Sequence, residues 1–140
     1  MTGKNNLPGN DPERLHEEIG KWRRLLNSMT EENVSLKNEL AGILKNKYDK
    51  DSLEDMENFQ TRFIKEDELI NLLKTDVDQL YNLLHGRMSK EDKKISRESK
   101  IEKSFNTRMK KVRKDIDGSA VRFSVLRSNF KDFQHKLYSK

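Results

Sequence analysis

The sequence predicts an all-α fold: an elongated antiparallel coiled-coil bundle of three long helices. Two observations predict it. Apolar residues recur at alternating spacings of three and four along most of the chain, as in helices that bury one narrow face against other helices. The composition, 38% charged against 32% hydrophobic in 140 residues with two prolines and six glycines, is too polar for a thick globular core. It suits helices that bury one stripe and solvate the rest. A disordered chain is the competing reading of so polar a composition, but disorder gives leucines no reason to stay in phase.

Residues 1–11 form a polar stretch with Gly3, Pro8 and Gly9 among asparagines, read as a flexible tail. Residues 12–140 are read as a single helical domain, with helices at about 12–46, 52–84 and 89–138. Asp11 before Pro12 and Glu13 is a strong helix start, with a capping carboxylate and proline at the first helical position. The first helix carries the organising seam at Leu15, Ile19, Trp22, Leu26, Met29, Asn33, Leu36 and Leu40, continued by Ile43. Trp22 is expected to be a packing anchor. Asn33 occupies a slot where a leucine would be ordinary. It either fixes register by pairing with another polar group or stands part-exposed and inert.

The rhythm breaks at Lys47–Asp51, and Asp51 or Ser52 can cap a second helix. That helix carries Met56, Phe59, Phe63, Ile70, Leu73, Val77, Leu80 and Leu84, with Glu66 filling one slot. Leu53, Ile64, Leu69, Leu72 and Leu83 widen its stripe, as suits a helix with two neighbours. A short loop between helices of similar length predicts an antiparallel hairpin. His85 and Gly86 are read as the stop, and Ser89, followed by Glu91 and Asp92, as the cap of the third helix.

The third helix starts weakly at Met88 and Ile95, then strengthens at Phe105, Met109, Val112 and Ile116. Asp117, Gly118 and Ser119 resemble a turn, which would make four helices. The phase nevertheless passes through Ser119 to Phe123, Leu126, Phe130, Phe133 and Leu137, favouring one unbroken helix. A helix from 89 to 138 would outrun the first two by roughly 25 Å at 1.5 Å per residue. Those last five apolar residues would then be contacts to a second chain, so a homodimer or other homo-oligomer is the expected state.

The words Leu15-His16-Glu17-Glu18-Ile19 with Trp22, Glu32-Asn33-Val34 with Leu36 and Lys37, and Phe59-Gln60 with Phe63, Ile64 and Asp67 resemble those of small coiled-coil proteins of bacteria. The resemblance covers the first two helices. It implies a helical fold and carries no activity with it.

Patterns that carry chemistry fail on residue type. Three histidines, His16, His85 and His135, lie far apart. Gly20 stands where a helical zinc site beginning at His16-Glu17 would need its second histidine. Glu13 and His16 match an iron-carboxylate spacing once, without a second copy. No phosphate-binding glycine loop and no nucleophile elbow are present, and no cysteine. Adjacent carboxylates such as Glu17 and Glu18 point to different azimuths of a solvated face. We therefore expect no enzyme, no cofactor and no metal. With no signal-like apolar stretch and no run of about 20 apolar residues, a cytoplasmic protein without a membrane partner is the default.

Charge is uneven. Residues 1–86 carry 12 Lys+Arg against 17 Asp+Glu, and residues 87–140 carry 17 against 7. Arg108, Lys110, Lys111, Arg113 and Lys114 are candidate contacts to a polyanion, extended upstream by Lys93, Lys94, Arg97, Lys100 and Lys103. No aromatic residues interleave with them as stacking platforms, and an acidic second helix offers a simpler partner. The functional expectation is thus a structural or interaction protein, acting through coiled-coil self-association or by scaffolding a protein partner. The alternative is a basic helical protein that binds nucleic acid through residues 87–140.

Overall fold

The computed structural model describes residues 11–46, 50–89 and 95–139, with side chains for 11–46, 50–86 and 102–139. The fold is an all-α bundle of three helices: α1 (Pro12–Asn46), α2 (Leu53–Ser89), entered through a 3-10 turn at Lys50–Ser52, and α3 (Ile95–Tyr138). The expected tail at 1–10 and the proposed cap residues Glu91 and Asp92 lie outside the described residues, as do Lys93 and Lys94.

The start of α1 follows from its sequence. The Asp11 carboxylate accepts the Glu13 backbone N–H at 3.1 Å, and the Asp11 carbonyl accepts the Leu15 N–H at 2.9 Å. One otherwise orphaned N–H is thereby satisfied, with Pro12 at a position that needs none.

Two boundaries depart from expectation. Gly86 does not stop α2, which continues to Ser89. A glycine ends a helix only if the chain turns left-handed there, and within a helix it costs only about 1 kcal/mol relative to alanine. Ser89 is therefore the last residue of α2 rather than the cap of α3, which begins at Ile95. Gly118 lies exposed inside an unbroken α3, so the third helix does not break there to give a fourth.

Contacts sort the residues into two compact units, each built from a piece of all three helices. Unit 1 takes Met1–Leu26 and Leu73–Ile116; unit 2 takes Asn27–Leu72 and Asp117–Lys140. The core of unit 1 is Leu15, Ile19, Trp22 and Leu26 from α1, Leu73, Val77, Leu80 and Leu84 from α2, and Phe105, Met109, Val112 and Ile116 from α3. In unit 2 the core is Met29, Leu36, Leu40 and Ile43 from α1, Met56, Phe59, Phe63 and Ile70 from α2, and Phe123, Leu126, Phe130 and Leu137 from α3. The three-four spacing thus identified the buried stripe of each helix. The widening of the α2 stripe is narrower than expected: Leu53 and Leu69 are half-buried, whereas Ile64, Leu72 and Leu83 are exposed.

Polar rungs beside the seams set direction. In unit 1, Glu18 of α1 pairs with Arg113 of α3. In unit 2, Glu32 pairs with Arg127 and Glu39 with Gln134. In unit 2 both pairs are 95 residues apart and follow the same order along the two helices, so α1 and α3 run parallel there. The helix α2 runs against them. In unit 1, His16 and Arg23 of α1 meet Tyr81 and Asp78 of α2 in reverse order. In unit 2, Glu66 and Phe59 of α2 meet Arg122 and Phe130 of α3, again in reverse order. Charged residues flanking an apolar seam choose register in this way.

This register overturns the expected overhang. Within unit 2, residues 117–138 of α3 lie beside 27–46 of α1 and 53–72 of α2, segments of nearly matching length. Phe123, Leu126, Phe130 and Leu137, expected to meet a second chain, are buried inside this one, and Phe133 is half-buried. The expectation took α2 to be shorter and α3 to start earlier than they do.

Candidate interaction surfaces

The α2 turn from Phe63 to Asp67 collects the polar residues that interrupt the seams of unit 2. Asn33 is fully buried. Its amide nitrogen donates to the Phe63 carbonyl at 2.9 Å and to the Asp67 carboxylate at 2.6 Å. Asp67 also pairs with Lys37. Of the two readings left open by the sequence, the bonded, buried one is therefore correct for Asn33. Its amide oxygen is buried without a partner. Reversing the amide would aim that oxygen at a carbonyl and a carboxylate, so the orientation follows from the surroundings.

Glu66, one residue away, is 3% exposed. Its carboxylate accepts the Arg122 Nε–H at 2.7 Å and a weaker contact from Arg122 Nη2 at 3.5 Å. Arg122 also donates to the Ser119 hydroxyl at 3.1 Å, and Ser119 is itself buried. Three seam slots without an apolar residue, Asn33, Glu66 and Ser119, are thus handled by one short piece of α2 and one arginine. Around Phe130 the same unit packs aromatic edges: its ring lies 5.1 Å from Phe63 and 5.2 Å from Phe59, both T-shaped, a favourable quadrupolar arrangement.

In unit 1 the arginines sit on rings and carboxylates together. Arg113 holds Glu18 with two bonds of 2.6 and 2.7 Å and lies 6.0 Å from the centre of the Trp22 ring. Trp22 is buried, the expected packing anchor. Arg23 bonds Asp78 at 2.9 Å and stands 4.0 Å over Tyr81. Tyr81 in turn packs between His16 and His85, at 5.5 and 5.4 Å. Tyr81 and His85 are one turn apart on α2, and the approach of His16 follows from the antiparallel register of α1 and α2. Among the described residues no group of three His, Cys, Asp or Glu is placed to hold a metal ion.

The five candidate polyanion contacts divide. Arg108 donates to Gln79 at 2.6 Å, Arg113 is held by Glu18, and Lys111 bonds Asp115 one turn ahead at 2.7 Å. That hydrogen bond and the Asp115 charge raise the Lys111 pKa above the ordinary lysine value. Lys110 and Lys114 are exposed. The basic helix is thus used in part to hold its own neighbours.

The exposed large hydrophobic residues among those described are Leu25, Val34, Ile64, Leu72, Leu83, Val121, Val125 and Tyr138. Only Val121 and Val125 stand one helical turn apart on the same helix, where side chains can form a joint surface. The sequence carried this signal as a second three-four series on α3, hidden by the stronger phenylalanine series. No helix among the described residues is long and apolar enough to cross a membrane. No family model, curated protein or solved structure matches this chain.

Proposed function

We propose that this protein is a structural or interaction module, a self-sufficient helical bundle whose outer helix faces dock another protein chain. The observation that carries this reading is the division of labour around each helix. Among the described residues the apolar seams are buried inside one chain, flanking charges pair with neighbouring helices, and an apolar valine pair is left on an outer face. Seam-to-seam association between chains would require opening the bundle. Association through outer faces would not, so self-association or scaffolding is best assigned to those faces.

The test is site-specific photo-crosslinking of the full chain, with benzoylphenylalanine placed in turn at Val34, Ile64 and Val121, all exposed. The expected result is discrete protein adducts from one face and none from the others. Adducts with nucleic acid alone, or none from any face, would overturn the reading.

A second reading is favoured by Lys110 and Lys114, exposed on α3: binding of nucleic acid through phosphates. Such binding would be blind to sequence and steeply dependent on salt.

A further inference from the structure

We infer that the outer face of α3 from Lys114 to Asp132 docks a second copy of this chain in antiparallel orientation. The inference rests on the interaction-module reading and names its partner.

The face has the pattern of a seam. Lys114, Gly118, Val121, Val125, Ser128 and Asp132 are spaced four, three, four, three and four along one unbroken helix, and all are exposed. Val121 and Val125 are 66% and 51% exposed, a considerable loss of hydrophobic stabilisation for a pair one turn apart. They are flanked by the two smallest side chains of the series. A Cβ added at Gly118 would meet nothing within 4 Å, so another helix backbone could come close there.

Charge then selects the occupant and its direction. Lys114 stands at one end of the series and Asp132 at the other, both exposed to solvent. Two copies side by side in parallel would set lysine against lysine and aspartate against aspartate. A twofold axis through the middle of the series instead sets Val121 against Val125, Gly118 against Ser128 and Lys114 against Asp132 of the second copy, each pair occurring twice. The surface is thus complementary to itself under the commonest closed symmetry. The valines supply the attraction, while the exposed charges mainly fix orientation. One helix face about 27 Å long on each side falls below the size of a stable interface, so the dimer is weak, with a Kd on the order of micromolar.

Sedimentation equilibrium of the full chain across the micromolar range tests this. The wild type should show a monomer–dimer equilibrium. Val121→Glu with Val125→Glu should weaken it by at least about tenfold with unchanged helical circular dichroism, because both positions are already in water. Lys114→Asp and Asp132→Lys should each weaken it at low salt. An equal mixture of those two single variants should recover dimer, since every charge pair across the axis is then opposite in sign. A monomeric wild type would overturn the inference, as would indifference to the valine changes. Unchanged association of Lys114→Asp at low salt would also overturn it, because in a parallel pair position 114 faces its own copy and the change only replaces one like-charge contact by another. A monomeric wild type that still crosslinks to an unrelated protein from one outer face would leave the interaction-module reading standing.

Discussion

Replacing Arg122 by methionine should reveal how far the fold depends on one guanidinium. Glu66 is 3% exposed, and Arg122 supplies its charge-assisted contacts at 2.7 and 3.5 Å. Losing a bond to a charged group costs about 1.5–3 kcal/mol, and breaking a buried pair by removing one partner costs about 3–5 kcal/mol. The Arg122 side chain is itself 46% exposed, so water can follow the path it vacates. That places the loss near the lower bound of the second range, about 3 kcal/mol. For a chain of this length the unfolding entropy makes that a fall of about 10 °C in Tm. Urea and thermal unfolding followed by circular dichroism would read it. The paired replacement Glu66→Leu with Arg122→Leu should be neutral or stabilising, by up to about 4 kcal/mol. The gap between single and double variants isolates the coupling. A loss under about 1 kcal/mol for Arg122→Met, the scale of an exposed ion pair, would refute the claim that Glu66 depends on Arg122.

Four further outcomes are expected. Leu26→Ala in unit 1 and Phe130→Ala in unit 2, both fully buried, should each lower the unfolding free energy by about 2–5 kcal/mol, read from urea midpoints. Asn33→Leu should raise the thermal midpoint, because it deletes a buried acceptor without a partner while Asp67 keeps Lys37; a lower midpoint would show that the bond to the Phe63 carbonyl outweighs that gain. Lys110→Glu with Lys111→Glu should abolish any binding to duplex or single-stranded nucleic acid, and wild-type binding should vanish near physiological salt in fluorescence anisotropy. The Lys111–Asp115 contact should be intact below the ordinary lysine range and lost as pH rises through the raised pKa of Lys111; an NMR titration should show a lower midpoint for Lys111 once Asp115→Asn is made.

What was legible in the sequence was whatever follows from one helix at a time. The seam from Leu15 to Ile43 needed only its own spacing, and the Asp11 cap only its neighbours Pro12 and Glu13. The continuity of α3 past Gly118 was readable because Ile116, Ser119 and Phe123 keep one phase. Relations between helices were harder to read. Asn33, Glu66 and Ser119 each appeared as an isolated gap in its own seam, and nothing within a seam says which gap meets which. The structure ties Asn33 to Phe63 and Asp67, and links Glu66 and Ser119 through Arg122, which donates to both. A trace of this was available: Glu18, Glu32 and Glu39 on α1 and Arg113, Arg127 and Gln134 on α3 recur at multiples of seven with a single offset. Matching the two series by that offset is enough to set α1 and α3 in register.

That register also decides which side of α3 is open to a partner. A helix offers a limited number of azimuths, about 3.6 residues to a turn, and α3 commits most of them. Phe123, Leu126 and Phe130 face inward. Arg113, Arg127 and Gln134 reach α1, and Arg108 and Arg122 reach α2. Helix lengths alone left the phenylalanines free to be the dimer contacts, because length says nothing about where two helices begin to overlap. Once the rungs fix the overlap, the phenylalanines have their neighbours within the chain. A partner that leaves the bundle intact can then meet the described part of α3 on the remaining side, where Val121 and Val125 stand between a lysine and an aspartate.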